Sequence, residues 1–100
     1  MNKVVYNSCY GGFSLSNKAI NWLLNHGYQI PEGRNFLIEY DVPRHHPLLV
    51  QCVEELGEEA NGECSELKIK EIEEDHYRIN DYDGMETVET LSTINWIKIQ

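Results

Sequence analysis

The stretch Cys9-Tyr10-Gly11-Gly12-Phe13 joins residue types that can do chemistry at a place where chains often do it. It follows Asn7 and sits between a short apolar run and a helix-like run opening at Ser16. A glycine pair at such a junction has three readings. The commonest is a turn, since glycine tolerates positive φ. The second is a cradle for an anion, because backbone N–H groups and a helix N-terminus converge there. Its spacing matches neither a Walker loop nor G-x-G-x-x-G. The third is a nucleophilic Cys9, whose thiolate a nearby helix N-terminus favours, although no partner base is identifiable from spacing. Tyr6, Tyr10 and Phe13 either stack on a base or fill the core.

Arg44-His45-His46 stands immediately before Pro47, a residue suited to the first position of a helix. Cations at that end oppose the helix dipole, so something negative must lie near them. It is either an internal acid, such as Asp41 or one from Asp81-Tyr82-Asp83-Gly84-Met85-Glu86, or a ligand phosphate gripped by Arg44 and the helix N–H groups. Asp81, Asp83 and Glu86 beside Tyr82 read either as a solvated turn or as a site for a ribose or a cation. His45, His46, Cys52, Cys64 and His76 include no pair at structural-zinc spacing, and no metal is expected.

These residues need elements to hold them. Lys3 to Asn7 reads as a buried strand. Ser16 is a plausible N-cap, Leu15 and Ile20 have the spacing of a hydrophobic staple, and Gly27 falls where a helix-ending glycine belongs. Residues 36–42, Phe-Leu-Ile-Glu-Tyr-Asp-Val, read as a second strand. Leu49, Cys52, Val53, Leu56 and Ala60 share one helical face, which predicts a helix running from Pro47 through Gly57 to Asn61-Gly62. Gly57 inside it implies a close backbone approach, with an early-ending helix as the alternative. Residues 66–72, 76–82 and 94–99 read as strands, the first two as a hairpin across Glu73–His76. The Asp83-Gly84 pair signals a turn into another short strand. The order β-α-β-α-β-β-β predicts a single α+β domain: a two-layer sandwich of a mainly antiparallel sheet with both helices on one face.

The composition supports a globular chain, with 41% hydrophobic residues and enough length for one modest core. No apolar run reaches membrane-spanning length and no signal-peptide core opens the chain, so a cytoplasmic protein without a membrane partner is expected. An odd number of scattered cysteines, Cys9, Cys52 and Cys64, fits reduced thiols. The net charge of −9 argues against a nucleic-acid polymer as partner. That charge is unevenly placed: residues 1–31 hold Lys3 and Lys18 and no acid, while all 17 acids follow. An acid-free N-terminal part is where an anionic ligand would approach; the acids themselves read as a solubilising surface.

The motifs C-Y-G-G-F-S-L-S, R-H-H-P-L-L-V-Q-C-V-E-E-L-G-E-E-A-N-G and Y-D-G-M-E-T-V-E-T resemble those of a family of small bacteriophage and bacterial proteins, over most of the chain. The resemblance implies a phage setting, and a host-cell cytoplasm, but no particular activity. Small phage proteins of this size often act against host defence, some by sequestering nucleotide immune signals. Three functions follow as expectations. The first is a non-catalytic protein, without cofactor, that captures a small phosphorylated nucleotide, in a homo-oligomer if the site lies between subunits. Its ligand-binding residues would be Asn7, Cys9, Tyr10, Gly11, Gly12, Phe13, Arg44, His45, His46 and Asp83. The second is an acidic, DNA-mimic-like inhibitor of a host protein. The third is a small nucleotide-modifying enzyme using Cys9 or a histidine.

Overall fold

The structure is a computed structural model that describes residues 2–91 and 99. Its elements are β1 (Asn2–Asn7), α1 (Asn17–Asn25), α2 (Pro47–Leu56), β2 (Leu67–Ile72), β3 (Arg78–Tyr82) and β4 (Met85–Glu89). The class is α+β, with two helices and antiparallel strand pairs. The strands form two separate two-stranded sheets. β1 pairs with β2, Asn2 opposite Ile72 and Asn7 opposite Leu67; β3 pairs with β4 across the Asp83-Gly84 turn. The hairpin expected across Glu73–His76 is therefore not formed, since β2 takes β1 as its partner and β3 takes β4. The strand expected at 94–99 lies largely outside the described residues.

β1 is short but buried on both faces. Val5 points into a core with Phe13, Leu15, Ala19, Leu23, Leu37, Val42, Leu49, Cys52 and Ala60. Val4, on the opposite face, packs with Ile72 and Val88, flanked by Tyr6, Tyr77 and Ile79. One face of the β1–β2 pair thus meets the helices and the other meets the β3–β4 hairpin. A strand with apolar side chains on successive positions is what this arrangement requires.

Both helices begin as their sequences dictate, and α1 also ends so. The Ser16 hydroxyl accepts the Ala19 N–H at 3.1 Å and caps α1. At the other end Tyr28 N–H donates to Leu23 O and Gly27 N–H to Leu24 O, with Gly27 at φ +96°. That pair of bonds is the Schellman closure, which places a glycine there. His46 caps α2, its Nδ1 accepting from Leu48 N–H at 3.1 Å, and Pro47 is the first helical residue. α2 stops at Leu56, earlier than the helix expected through Gly57. Gly57 takes φ +58° and starts a 3-10 turn, Gly57–Ala60, that still buries Ala60. Nothing crowds a Cβ at Gly57, so its glycine serves the positive φ and not a close approach.

The strand expected at 36–42 is absent. Asp41 turns back, its Oδ2 accepting the Ile38 N–H at 2.9 Å and its Oδ1 pairing with Arg34, so Glu39–Asp41 closes as a single 3-10 turn. Leu37 and Val42 are buried as anchors, while Phe36, Ile38 and Tyr40 are exposed. Among the described residues no helix is long and apolar enough to cross a membrane.

Candidate functional site

The opening stretch folds against both the end of β1 and the β3–β4 turn. Asn7, fully buried, is the pivot. Its Nδ2 donates to the carbonyls of Cys9 and Gly84, both at 2.7 Å, and its Oδ1 accepts the Glu66 N–H at 2.8 Å. Its own backbone N–H donates to Glu86 Oε1 at 2.9 Å. One amide side chain thereby joins three segments distant in sequence.

Glu86 is the acid that Arg44 requires. The guanidinium meets it as a fork, Nη1 to Oε1 at 2.5 Å and Nη2 to Oε2 at 2.8 Å, with 14% and 4% of the two side chains exposed. The guanidinium carbon also lies 3.5 Å from the centroid of the Phe13 ring. A planar cation between a carboxylate and an aromatic face is bound on two sides, which a lysine would not reproduce. Arg44 is thus neutralised from within the fold, by an acid of the Asp81–Glu86 stretch. Of the two counter-charges expected for Arg44, an internal acid and a ligand phosphate, the structure supplies the internal acid.

The glycines serve packing and turn geometry. A Cβ at Gly11 would lie 1.7 Å from the Cys64 carbonyl oxygen. Gly12 has φ +90° with open space around it. Gly84 combines both constraints, at φ +91° with its Cβ position 2.4 Å from Tyr10 O. Asp83 precedes it at φ +52°, so both central residues have the positive φ of a tight hairpin turn. These observations favour the turn reading over the anion cradle, because neighbouring backbone occupies the space beside Gly11 and Gly84.

The remaining expected site residues divide. Cys9 lies within hydrogen-bonding distance of Asn7 Oδ1, at 3.3 Å, and of the Cys64 carbonyl, at 3.0 Å. Phe13 is buried beneath Arg44. His45 and His46 have partners outside this cluster: His45 Nδ1 is 2.8 Å from Tyr77 Oη, and the His46 ring caps α2 edge-on to Tyr28. Tyr10 is 61% exposed and points out of the cluster. Every buried side-chain nitrogen and oxygen among the described residues has a partner. Nor does any group of three His, Cys, Asp or Glu among them come together to hold a metal.

Two exposed tyrosines belong here, of which the sequence singled out Tyr82 but not Tyr40. Tyr40 reaches the Phe13 carbonyl with its hydroxyl at 3.4 Å, its ring centroid 6.3 Å from that of Phe13, and remains 70% exposed. Tyr82, at the Asp83-Gly84 turn, is 76% exposed. The loops bearing Tyr10, Tyr40 and Tyr82 meet around residues 10–13, and Glu39, Asp81 and Asp83 adjoin these tyrosines in sequence. A tyrosine at or beside each of three turns was the available signal, but their convergence was not readable locally.

No protein-family model, no curated protein and no solved structure matches the chain.

Proposed function

We propose that this chain is a non-catalytic binding protein that engages a positively charged protein surface through exposed tyrosines and their neighbouring acids. The observation that carries this reading is the distribution of cations. Among the described residues Arg34, Arg44, Arg78, Lys3, Lys18 and Lys68 each face a carboxylate, which leaves Lys70 as the lysine without one. Phosphate recognition depends on arginine forks or clustered lysines, and here each arginine fork already has an acid. Tyrosine offers a large, rigid contact area at low entropic cost, and carboxylates beside it complement a basic partner. In the phage setting that the sequence motifs imply, such a partner is a host defence factor blocked by the bound chain.

Sequestration of a phosphorylated nucleotide is the second reading, favoured by the exposed tyrosine rings on which a base can stack. It requires phosphate-binding groups beyond the paired cations described here, which a second subunit would supply. One experiment separates the readings. The purified protein is titrated with a Lys/Arg-rich peptide and with a panel of cyclic and ADP-ribose-derived nucleotides, followed by chromatography of what is released. The expected result is peptide binding that weakens with salt and is lost in Tyr10→Ser/Tyr40→Ser/Tyr82→Ser, with no nucleotide retained. Nucleotide released unchanged, with the peptide ignored, overturns it in favour of sequestration. Altered nucleotide points to an enzyme.

A further inference from the structure

Beyond the antiparallel β1–β2 pair the two segments stay together. Asn7 faces Leu67 in the sheet, and Leu15 faces Asn61 in an isolated bridge further on. Between those fixed points residues 8–14 lie against the shorter stretch 62–66, so the first stretch bulges. The two are stitched by Ser8 N–H to Glu66 O at 2.8 Å, Gly62 N–H to Ser14 O at 3.2 Å and the Ser65 hydroxyl to Ser14 O at 2.8 Å. Each stretch carries one cysteine. The Cys9 sulfur is 3.0 Å from the Cys64 carbonyl oxygen, and the glycine at 11 lets the Cys64 backbone press in beside it. A residue's carbonyl oxygen and Cβ are about 3 Å apart, which puts the Cys64 Cβ within about 6 Å of the Cys9 sulfur. Rotation about the two χ1 bonds, with small loop adjustment, covers what a disulfide needs from there.

We propose that Cys9 and Cys64 form a dithiol modification site that closes to an intramolecular disulfide when a low-molecular-weight disulfide is the oxidant. Cys64 is exposed and Cys9 half-buried, so the first exchange falls on Cys64. Its thiolate attacks one sulfur of glutathione disulfide, forming a mixed disulfide and releasing one glutathione thiolate. The Cys9 thiolate then attacks the Cys64 sulfur, the Cys9–Cys64 bond forms, and the second glutathione leaves. The two protein thiols lose two protons and two electrons in all, and glutathione disulfide takes them up as two thiols. Cys52 stays outside this chemistry: it is fully buried on α2, and burial, aided by the Glu55 charge, pushes its thiol up to about 11. The closed form fixes the loop bearing Tyr10 to residues 62–66. This inference does not depend on the binding function proposed above.

The test is to incubate the folded protein with glutathione disulfide at mildly alkaline pH, quench in acid, and alkylate with N-ethylmaleimide under denaturing conditions. Mass spectrometry is expected to find a chain lighter by two hydrogens before alkylation, one maleimide on Cys52, and a Cys9–Cys64 cross-linked peptide. Cys52→Ala closes like the wild type, whereas Cys64→Ser yields no cross-link. The oxidised wild type melts several degrees higher than the reduced, and dithiothreitol reverses the shift. Maleimide on all three cysteines after oxidation overturns the proposal. So does a glutathione adduct persisting on Cys64 beside a free Cys9, or a cross-link through Cys52 or between chains.

Discussion

Arg44 and Glu86 decide stability before they can bear on anything else. With both side chains largely removed from water, cutting one leaves the other charged and unpaired. Glu86→Gln and Arg44→Ala are therefore each expected to destabilise by roughly 3–5 kcal/mol in urea unfolding. Arg44→Met/Glu86→Gln, which leaves no buried charge and retains an acceptor for Asn7 N–H, recovers most of that loss. If Arg44→Ala unfolds like the wild type, the pair is not structural and the ligand role reopens. The glycines give a second contrast. Gly11→Ala drives a methyl into a backbone carbonyl and is expected to cost about 3 kcal/mol or more. Gly12→Ala meets only its positive φ, with a cost of about 1–2 kcal/mol. Equal melting temperatures for the two variants would contradict the packing described at Gly11. The need for an acid near Arg44 was legible in the sequence, because a cation at a helix start demands one. Which acid supplied it was not, because Glu86 is 42 residues away and only the tertiary fold brings it there.

The helices were the most legible elements, and Ser16, Gly27 and Pro47 show why. Capping chemistry is local, so the residues that start and stop a helix lie beside it. Ser16→Ala is expected to cost about 1 kcal/mol, read as a lower urea midpoint with an unchanged slope. Strand partners were less legible, because β2 chooses between a neighbour and β1 through packing that no local pattern encodes. The segment 36–42 misled for a related reason: its apolar alternation suits a strand, yet one carboxylate closes it into a turn. The Ile38 N–H and then Arg34 hold the Asp41 carboxyl below the usual carboxylate range. A carboxylate with a lowered folded value stabilises the fold above its unfolded value, near pH 4, and that contribution disappears as pH falls through the lowered value. Thermal melts of Asp41→Asn should therefore lie below wild type at neutral pH and converge with it in strong acid. A gap that persists unchanged to the lowest pH would mean that the charge is irrelevant to the turn.

At the scale of the whole molecule, the net charge of −9 sets two opposite responses to salt. Exposed pairs such as Lys3–Glu54 and Lys18–Glu59 contribute little and weaken on screening. Repulsion among the unpaired acids weakens too, and the acids outnumber the bases. The melting temperature is accordingly expected to rise as salt is raised from low ionic strength, while binding of a cationic peptide falls. A melting temperature that drops along with peptide binding would show the exposed pairs outweighing the repulsion.

β1 makes its contacts late in the life of the chain. Residues 2–7 are synthesised well before their sheet partner, which begins at Leu67, and before the carboxylate that accepts the Asn7 N–H, at Glu86. The chain from residue 8 to residue 66 must be synthesised before β1 has a strand to pair with. Pairings this distant in sequence slow folding, because the intervening chain must be ordered first. Until then Val4 lacks Ile72 and Val88 and the β1 backbone is unpaired, a natural client for the chaperones that meet nascent chains.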